Sequence, residues 1–322
     1  VGSEMCIRDS LSTYAIEKGH FCPVCYGTDM ICYGHNPQGS QRIQCRNCKK
    51  VWTPKKYQKE ITHPQAIETV QLFIPFQGAS AVQKLYVLVS LDATRGNILH
   101  LSTNYTQHQT GDSLRYSYKG NTEPTMHHRD IVQKVDMREA QFLRRSQFDE
   151  IQYGSAVLKR NGKGAILRPV ITAHGHFRIL KIRYPDVKTH IISHECFLRG
   201  AIITAWADQF RQQQGELWFV EEEISDSNAD TPWHFKGTTY HGWWQNQWQR
   251  WEQGNNCKMV CLLTGASLER GANVSLATSR CFITWLTDQH DFTQSALLSA
   301  GRVTQMLTSL ALKYNESLTP SC

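Results

Sequence analysis

The chain has 322 residues, 40% apolar and 20% charged, with 9 Trp, 12 Tyr, 12 Phe and a formal net charge of +7. The length is enough for two domains, and aromatic content of this order supports a sizeable buried core and excludes wholesale disorder. No run of about 18 apolar residues occurs, and neither a membrane span nor an export leader is expected, so the expected location is cytoplasmic.

In chain order, residues 1–10 read as a non-native leader and are set aside with Cys6. Residues 11–60 hold the clearest signal. Four of the 11 cysteines form two close pairs, Cys22 with Cys25 and Cys45 with Cys48, and nineteen residues separate Cys25 from Cys45. A two-residue gap lets each pair bend into a knuckle, and two knuckles complete a tetrahedral four-sulfur shell around Zn²⁺ at about 2.3 Å. Strand-like stretches at 30–33 and 41–44 flank a turn at 36–39, the outline of a small β zinc ribbon. Disulfides fit poorly in a chain expected to stay in a reducing compartment. The bases Arg42, Arg46, Lys49, Lys50, Lys55 and Lys56 crowd the second knuckle, with Trp52 and Tyr57 interleaved. Such clustering is the footprint of a nucleic-acid-binding module, with duplex DNA the expected partner; a protein-interaction ribbon is the alternative.

A helical connector is expected over 61–84, because Ile67, Val70 and Ile74 follow i, i+3, i+7 and Pro75 would end the helix. The run 85–91 is nearly all apolar and β-branched, which predicts a central strand ending at Asp92, with a hairpin turn at 95–97 and a returning strand at 98–101. Residues 129–160 read as a helix carrying Asp130, Asp136, Glu139, Asp149 and Glu150. Residues 164–172 read as a strand leading into Ala173 and His174. Glu195 opens an apolar-periodic helix through Leu198, Ile202, Ile203, Trp206 and Phe210, and Glu221, Glu222 and Glu223 follow a strand at 217–220. Two histidine pairs, His174 with His176 and His190 with His194, have spacings that can share a face; structural roles are favoured over a metal site. Trp244, Trp248 and Trp251 have helical spacing and predict a packed core within the Trp-rich segment 233–251. Residues 303–314 form an amphipathic helical pattern. The expected division is therefore an α/β domain over 85–255 and a helical region over 256–322. No phosphate-binding P-loop, nucleophile elbow or dinucleotide fingerprint is present.

The run Cys22-Pro23-Val24-Cys25, the block 39–48 ending in Cys45-Arg46-Asn47-Cys48, and Val51-Trp52 together resemble the zinc ribbon of bacterial insertion-sequence transposases, with Ile43 where an aromatic is usual. The resemblance implies DNA binding, DNA recombination by transposition, and a mixed α/β core of the RNase-H-like kind. In that family several carboxylates hold two divalent ions about 3.5–4 Å apart for strand cleavage and transfer. By context the resemblance assigns Asp92 as the first acid and Glu195 as a partner, with Mg²⁺ or Mn²⁺ as the catalytic ion. The acid expected after the strand at 164–172 is replaced by Ala173. A catalytically inactive DNA-binding regulator is the alternative. The third carboxylate, the DNA target and the oligomeric state are not legible.

Overall fold

The computed structural model describes residues 22, 24, 30–39, 41–53, 63–77, 84–106, 130–152, 156–157, 165–167, 169–226, 231–265 and 271–318. Residues 1–10, Cys25, Lys55 and Lys56 lie outside that set, as do the side chains of Asp149 and Glu150. The protein has a mixed α and β architecture.

In the amino-terminal module, β1 (Met30–His35), β2 (Gln41–Cys45) and β3 (Val51–Trp52) form an antiparallel sheet in that order. Gly39, with φ +78°, turns β1 into β2, a backbone conformation that glycine adopts without steric cost.

The larger part is an eight-stranded sheet. Its strands are β4 (Ala66–Ile74), β5 (Leu85–Asp92), β6 (Ile98–Thr103), β10 (Thr189–Ser193), β11 (Glu216–Glu223), β12 (His234–His241), β13 (Asn246–Gln253) and β14 (Asn256–Thr264). Their spatial order is β12-β13-β14-β11-β10-β4-β5-β6. β10 is parallel to both β4 and β11, and the other pairings are antiparallel. Short strands β7 (Tyr105–Thr106), β8 (Ala156–Val157) and β9 (Ala165–Ile166) pair beside it.

Helices cover both faces. On one face, α1 (Ile131–Gln152), α2 (Pro169–Arg183) and α3 (Cys196–Ala205) bury Val135, Phe177 and Ile202 against Ile67, Leu88 and Phe219. A short helix α4 (Ala207–Arg211) follows α3. On the other face, α5 (Ala277–Thr287) and α7 (Ala300–Leu318) bury Phe282, Leu307 and Leu310 against Val89, Leu101 and Val260; a single turn, α6 (His290–Thr293), lies between them. The terminal amphipathic pattern is thus a helix docked on the body. Every residue of β5 is buried, as its continuous apolar run predicts.

Four expectations are corrected. Residues 66–74 form a strand: buried on both faces, β4 lacks a two-residue alternation, so the positions of Ile67, Val70 and Ile74 mimic helical spacing. The segment after Ile166 is helical from Pro169, which suits a first helical turn because its missing N–H has no partner to lose there. Ala173 is therefore a buried helix residue, not a strand end. The Trp-rich segment is a hairpin: Trp248 packs on the α1–α3 face and Trp251, three residues on, against the opposite face. Residues 256–264 are strand β14, so the sheet extends into the region expected to be helical.

Several polar groups enclosed by this sandwich find hydrogen-bond partners within it, whereas others, both His100 ring nitrogens among them, have none. His176 of α2 bridges Ser90 Oγ at 2.8 Å and Ser102 Oγ at 2.7 Å, and Ser90 bonds Thr69 Oγ1 at 2.6 Å. Burial, aided by the Arg183 charge, holds the His176 pKa down at about 3, and burial with Lys181 does the same to His190. Unfolding returns both rings to the ordinary range near 6.5. Stability is therefore complete above about pH 6.5 and is lost as pH falls toward 3, at about 1.4 kcal/mol per pH unit for each ring. Urea midpoints across that window should fall with pH, and His190→Phe should reduce the slope by one such increment.

Candidate functional site

The first site is the thiol cluster. The Sγ atoms of Cys22, Cys45 and Cys48 all lie within 4.8 Å of one another, with Cys22 and Cys48 at 3.3 Å, and none is in a disulfide. Cys45 ends β2, and the backbone closes a knuckle behind it: Lys49 N–H donates to the Cys45 carbonyl at 3.0 Å and Cys45 N–H to the Lys50 carbonyl at 2.9 Å. Lys49 takes φ +61°, the left-handed conformation that turns the chain out of the knuckle toward β3. Val24 N–H donates to Cys22 Sγ at 3.4 Å, a contact that stabilises a thiolate. Cys22 and Cys45 are fully buried, and Ile43 is the one other buried apolar side chain among the described residues of this module. The cluster can hold a metal ion. Around it, Arg46, Lys49 and Lys50 are exposed and Arg42 is half-buried, its guanidinium 5.7 Å from the Tyr33 ring centre.

The acids of the larger part occupy three separate places. Asp92 closes the β5–β6 turn, accepting from Thr94 N–H at 2.9 Å and Arg95 N–H at 3.2 Å. It pairs in register with Ile67, which in turn pairs with His190 near the start of β10. Glu195 follows the far end of β10 as the N-cap of α3, accepting from Phe197 N–H at 3.3 Å. Five residues of extended chain separate these levels by about 16 Å, far more than a shared pair of ions spans. The structure does not bring Asp92 and Glu195 together.

Glu68 lies inside β4 and is buried against the first turn of α5. It accepts from Ser279 N–H at 2.9 Å, Ser279 Oγ at 3.0 Å and Thr278 N–H at 3.5 Å. Burial raises its pKa, opposed by these bonds. Glu222 accepts from Leu276 N–H at 3.1 Å and pairs with Arg280. Glu68 and Glu222 thus serve the positive end of α5.

Where β10 and β11 run on past their pairing, α1 meets the turn between β12 and β13. Glu139 of α1 accepts from His194 Nε2 at 3.2 Å and Asn246 Nδ2 at 3.0 Å. One helical turn earlier, Asp136 meets His241 Nδ1 at 2.6 Å, and His241 Nε2 meets Thr239 Oγ1 at 2.7 Å. Burial lowers the His194 pKa against the opposing pull of Glu139 and Glu221. Burial by itself would raise the Glu139 pKa, but the bond and charge of His194 and the bond from Asn246 bring it below the usual range. Arg138 pairs with Glu221 at 3.2 Å and Lys134 with Glu223. Of these residues Asp136 and Glu139 line a cleft of about 540 Å³. No short motif announces it, since Glu139, His194 and Asn246 are far apart in sequence; the one local trace is Asp136 and Glu139 at i, i+3 on a predicted helix.

Among the described residues, the cysteine trio is the one place where three candidate ligand atoms converge. Of the sequence-predicted site residues, the structure gathers Cys22, Cys45 and Cys48 and, near them in the chain, Arg42, Arg46, Lys49 and Lys50.

No protein-family model matches the chain, and no curated protein matches it. Among solved structures, a piggyBac transposase synaptic complex with hairpin DNA is similar at 9% identity with a TM-score of 0.27, over 80% of this chain and 48% of that one. The chain spans about half the length of that transposase chain. A likeness this weak carries no argument about the site.

Gly242 has φ +74°, and a Cβ there would collide with the Glu139 carboxylate. Gly242→Ala should therefore cost about 1–3 kcal/mol from strain and displacement together, read as a drop in the urea midpoint.

Proposed function

We propose that the protein binds duplex DNA through a zinc ribbon and carries an RNase-H-like core that does not itself cut DNA. The observation that carries the DNA reading is the convergence of three cysteine sulfurs beside Arg42, Arg46, Lys49 and Lys50. The donor set suits Zn²⁺: soft thiolates at C-x2-C spacing, with Cys25 as the fourth ligand in this reading. The ion would hold the knuckles in place. The cations would then lie along one segment, with Lys55 and Lys56 beyond them, and meet successive phosphates.

Support for the core assignment comes from strand order. β4, β5 and β6 form an antiparallel meander, and β10 and β11 add in parallel on the other side of β4. α2 and α3 cross over on one face, and α5 follows on the other. This plan is the one expected of an RNase-H-like domain. Support for the absence of strand cleavage comes from the acids. Asp92 and Glu195 stand at opposite ends of the parallel strands. Glu68, the acid of the first core strand, is committed to backbone amides of α5, and that helix directs Ser279 and Arg280 toward the acids of the sheet. Arg280 brings a positive charge where a two-ion site needs another carboxylate.

Two measurements test this reading. Zinc content of metal-replete protein should be one ion per ribbon, and Cys45→Ser should abolish zinc retention and DNA binding together while leaving the large sheet folded by circular dichroism. Duplex affinity should fall steeply with salt, and the triple variant Arg46→Ala, Lys49→Ala, Lys50→Ala should flatten the log–log slope by roughly 2–3. A flat response in the parent protein would instead favour a protein partner. Nicking in Mg²⁺ or Mn²⁺ that is lost in Asp92→Asn or Glu195→Gln would overturn the non-cleaving assignment.

A further inference from the structure

The cleft between α1 and the β12–β13 turn is lined by neither the cysteine cluster nor Asp92, Glu195 or Glu68. Asp136, Glu139, Ala140, Gly242, Trp243 and Gln245 line it. Its chemistry is one-sided. Asp136 is well exposed at the rim, its side chain 60% accessible. Glu139 is only 1% exposed, and its Oε2 atom has no hydrogen-bond partner; it abuts Gly242, whose backbone forms the wall.

The groups that hold Glu139 bind its Oε1 atom, Asn246 at 3.0 Å and His194 at 3.2 Å, and leave Oε2 unpaired. The cations on the same helix are directed elsewhere: Arg138 to Glu221 and the His194 carbonyl, and Lys134 to Glu223. The carboxylate lies behind the thin glycine wall of the cleft, where little water screens it. Above it stands Trp243, 75% exposed, whereas neighbouring Trp244 already lies 5.4 Å beneath the Arg199 guanidinium.

We infer that this cleft binds an organic cation, a guanidinium or ammonium group, stacked on the Trp243 indole and paired with Asp136 over the buried Glu139 charge. An aromatic face beside carboxylates favours such a group, and the attraction rises as the site is desolvated. A bare divalent ion fits less well, because the cleft is many times the size of one ion and no three ligand atoms converge there. A phosphate-bearing ligand would be repelled by both carboxylates.

Isothermal titration of the full zinc-loaded chain with agmatine tests the inference, with MgCl₂ and adenosine monophosphate as comparison ligands at matched ionic strength. Saturable binding of agmatine, weakened about tenfold or more in Asp136→Asn and in Trp243→Ala, is the expected result. Trp243 is exposed, so its loss leaves the fold intact, and an unchanged urea midpoint would verify that. Glu139→Gln, which preserves the shape of the side chain, should also weaken binding. Absence of saturable heat, equal agmatine binding in the Asp136 and Trp243 variants, or preferential binding of Mg²⁺ or the nucleotide would overturn it. DNA affinity does not enter this readout, so its failure would leave the ribbon assignment standing.

Discussion

A sheet covered by helices on both faces must satisfy every polar group placed inside it from within. Water cannot reach the middle of β5, where all eight residues are buried, and an unpaired hydrogen-bonding group there costs on the order of 1–3 kcal/mol. The molecule meets this constraint in part, with partners drawn from neighbouring elements, and leaves some buried groups such as the His100 ring unpaired. His176 spans two serines from adjacent strands, and Asn104 ties the Tyr86 N–H to the Leu167 carbonyl. Lys258, wholly buried, donates to the Ala272 and Val274 carbonyls with Trp233 4.5 Å from its ammonium, and burial brings its pKa down to about 8. Each of these groups joins elements distant in sequence, so the polar interior also sets which segments meet.

The same constraint decides where chemistry can occur. With both faces closed, ligands reach the sheet at strand ends, and the parallel strands β10 and β11 supply one such end. There His194 and Glu195 leave β10, Glu221 and Glu223 continue along β11, and α1 brings Asp136 and Glu139 across. The opposite end carries Asp92, used as a turn cap. Glu68 sits between the two, sealed by α5. The sheet thus distributes Asp92, Glu68 and Glu195 over separate levels, whereas two bridged ions would need carboxylates on one.

The ribbon obeys a different rule. Among its described residues are three short strands and the buried side chains Cys22, Ile43 and Cys45. Two of those three are cysteines, and the convergence of their sulfurs with that of Cys48 fits a cross-link made by a metal.

Local chemistry made part of this protein legible without any structure. The C-x2-C pairs, the β5–β6 hairpin, the α1 helix, the α3 helix opened by Glu195 and the amphipathic α7 each follow from spacing, capping and periodicity over a few residues. The sequence by itself thus determined the cysteine pairing pattern, the basic segment and most helices. Tertiary structure alone decided the rest. β4 and the Trp-rich hairpin were misread because strands packed on both faces, or built from aromatics three and four apart, imitate a helical period. Whether Asp92, Glu195 and Glu68 share a site, and whether Asp136 and Glu139 meet a cleft, depends on strand register and order. Those are properties of pairing between distant segments, and no short stretch of sequence contains them.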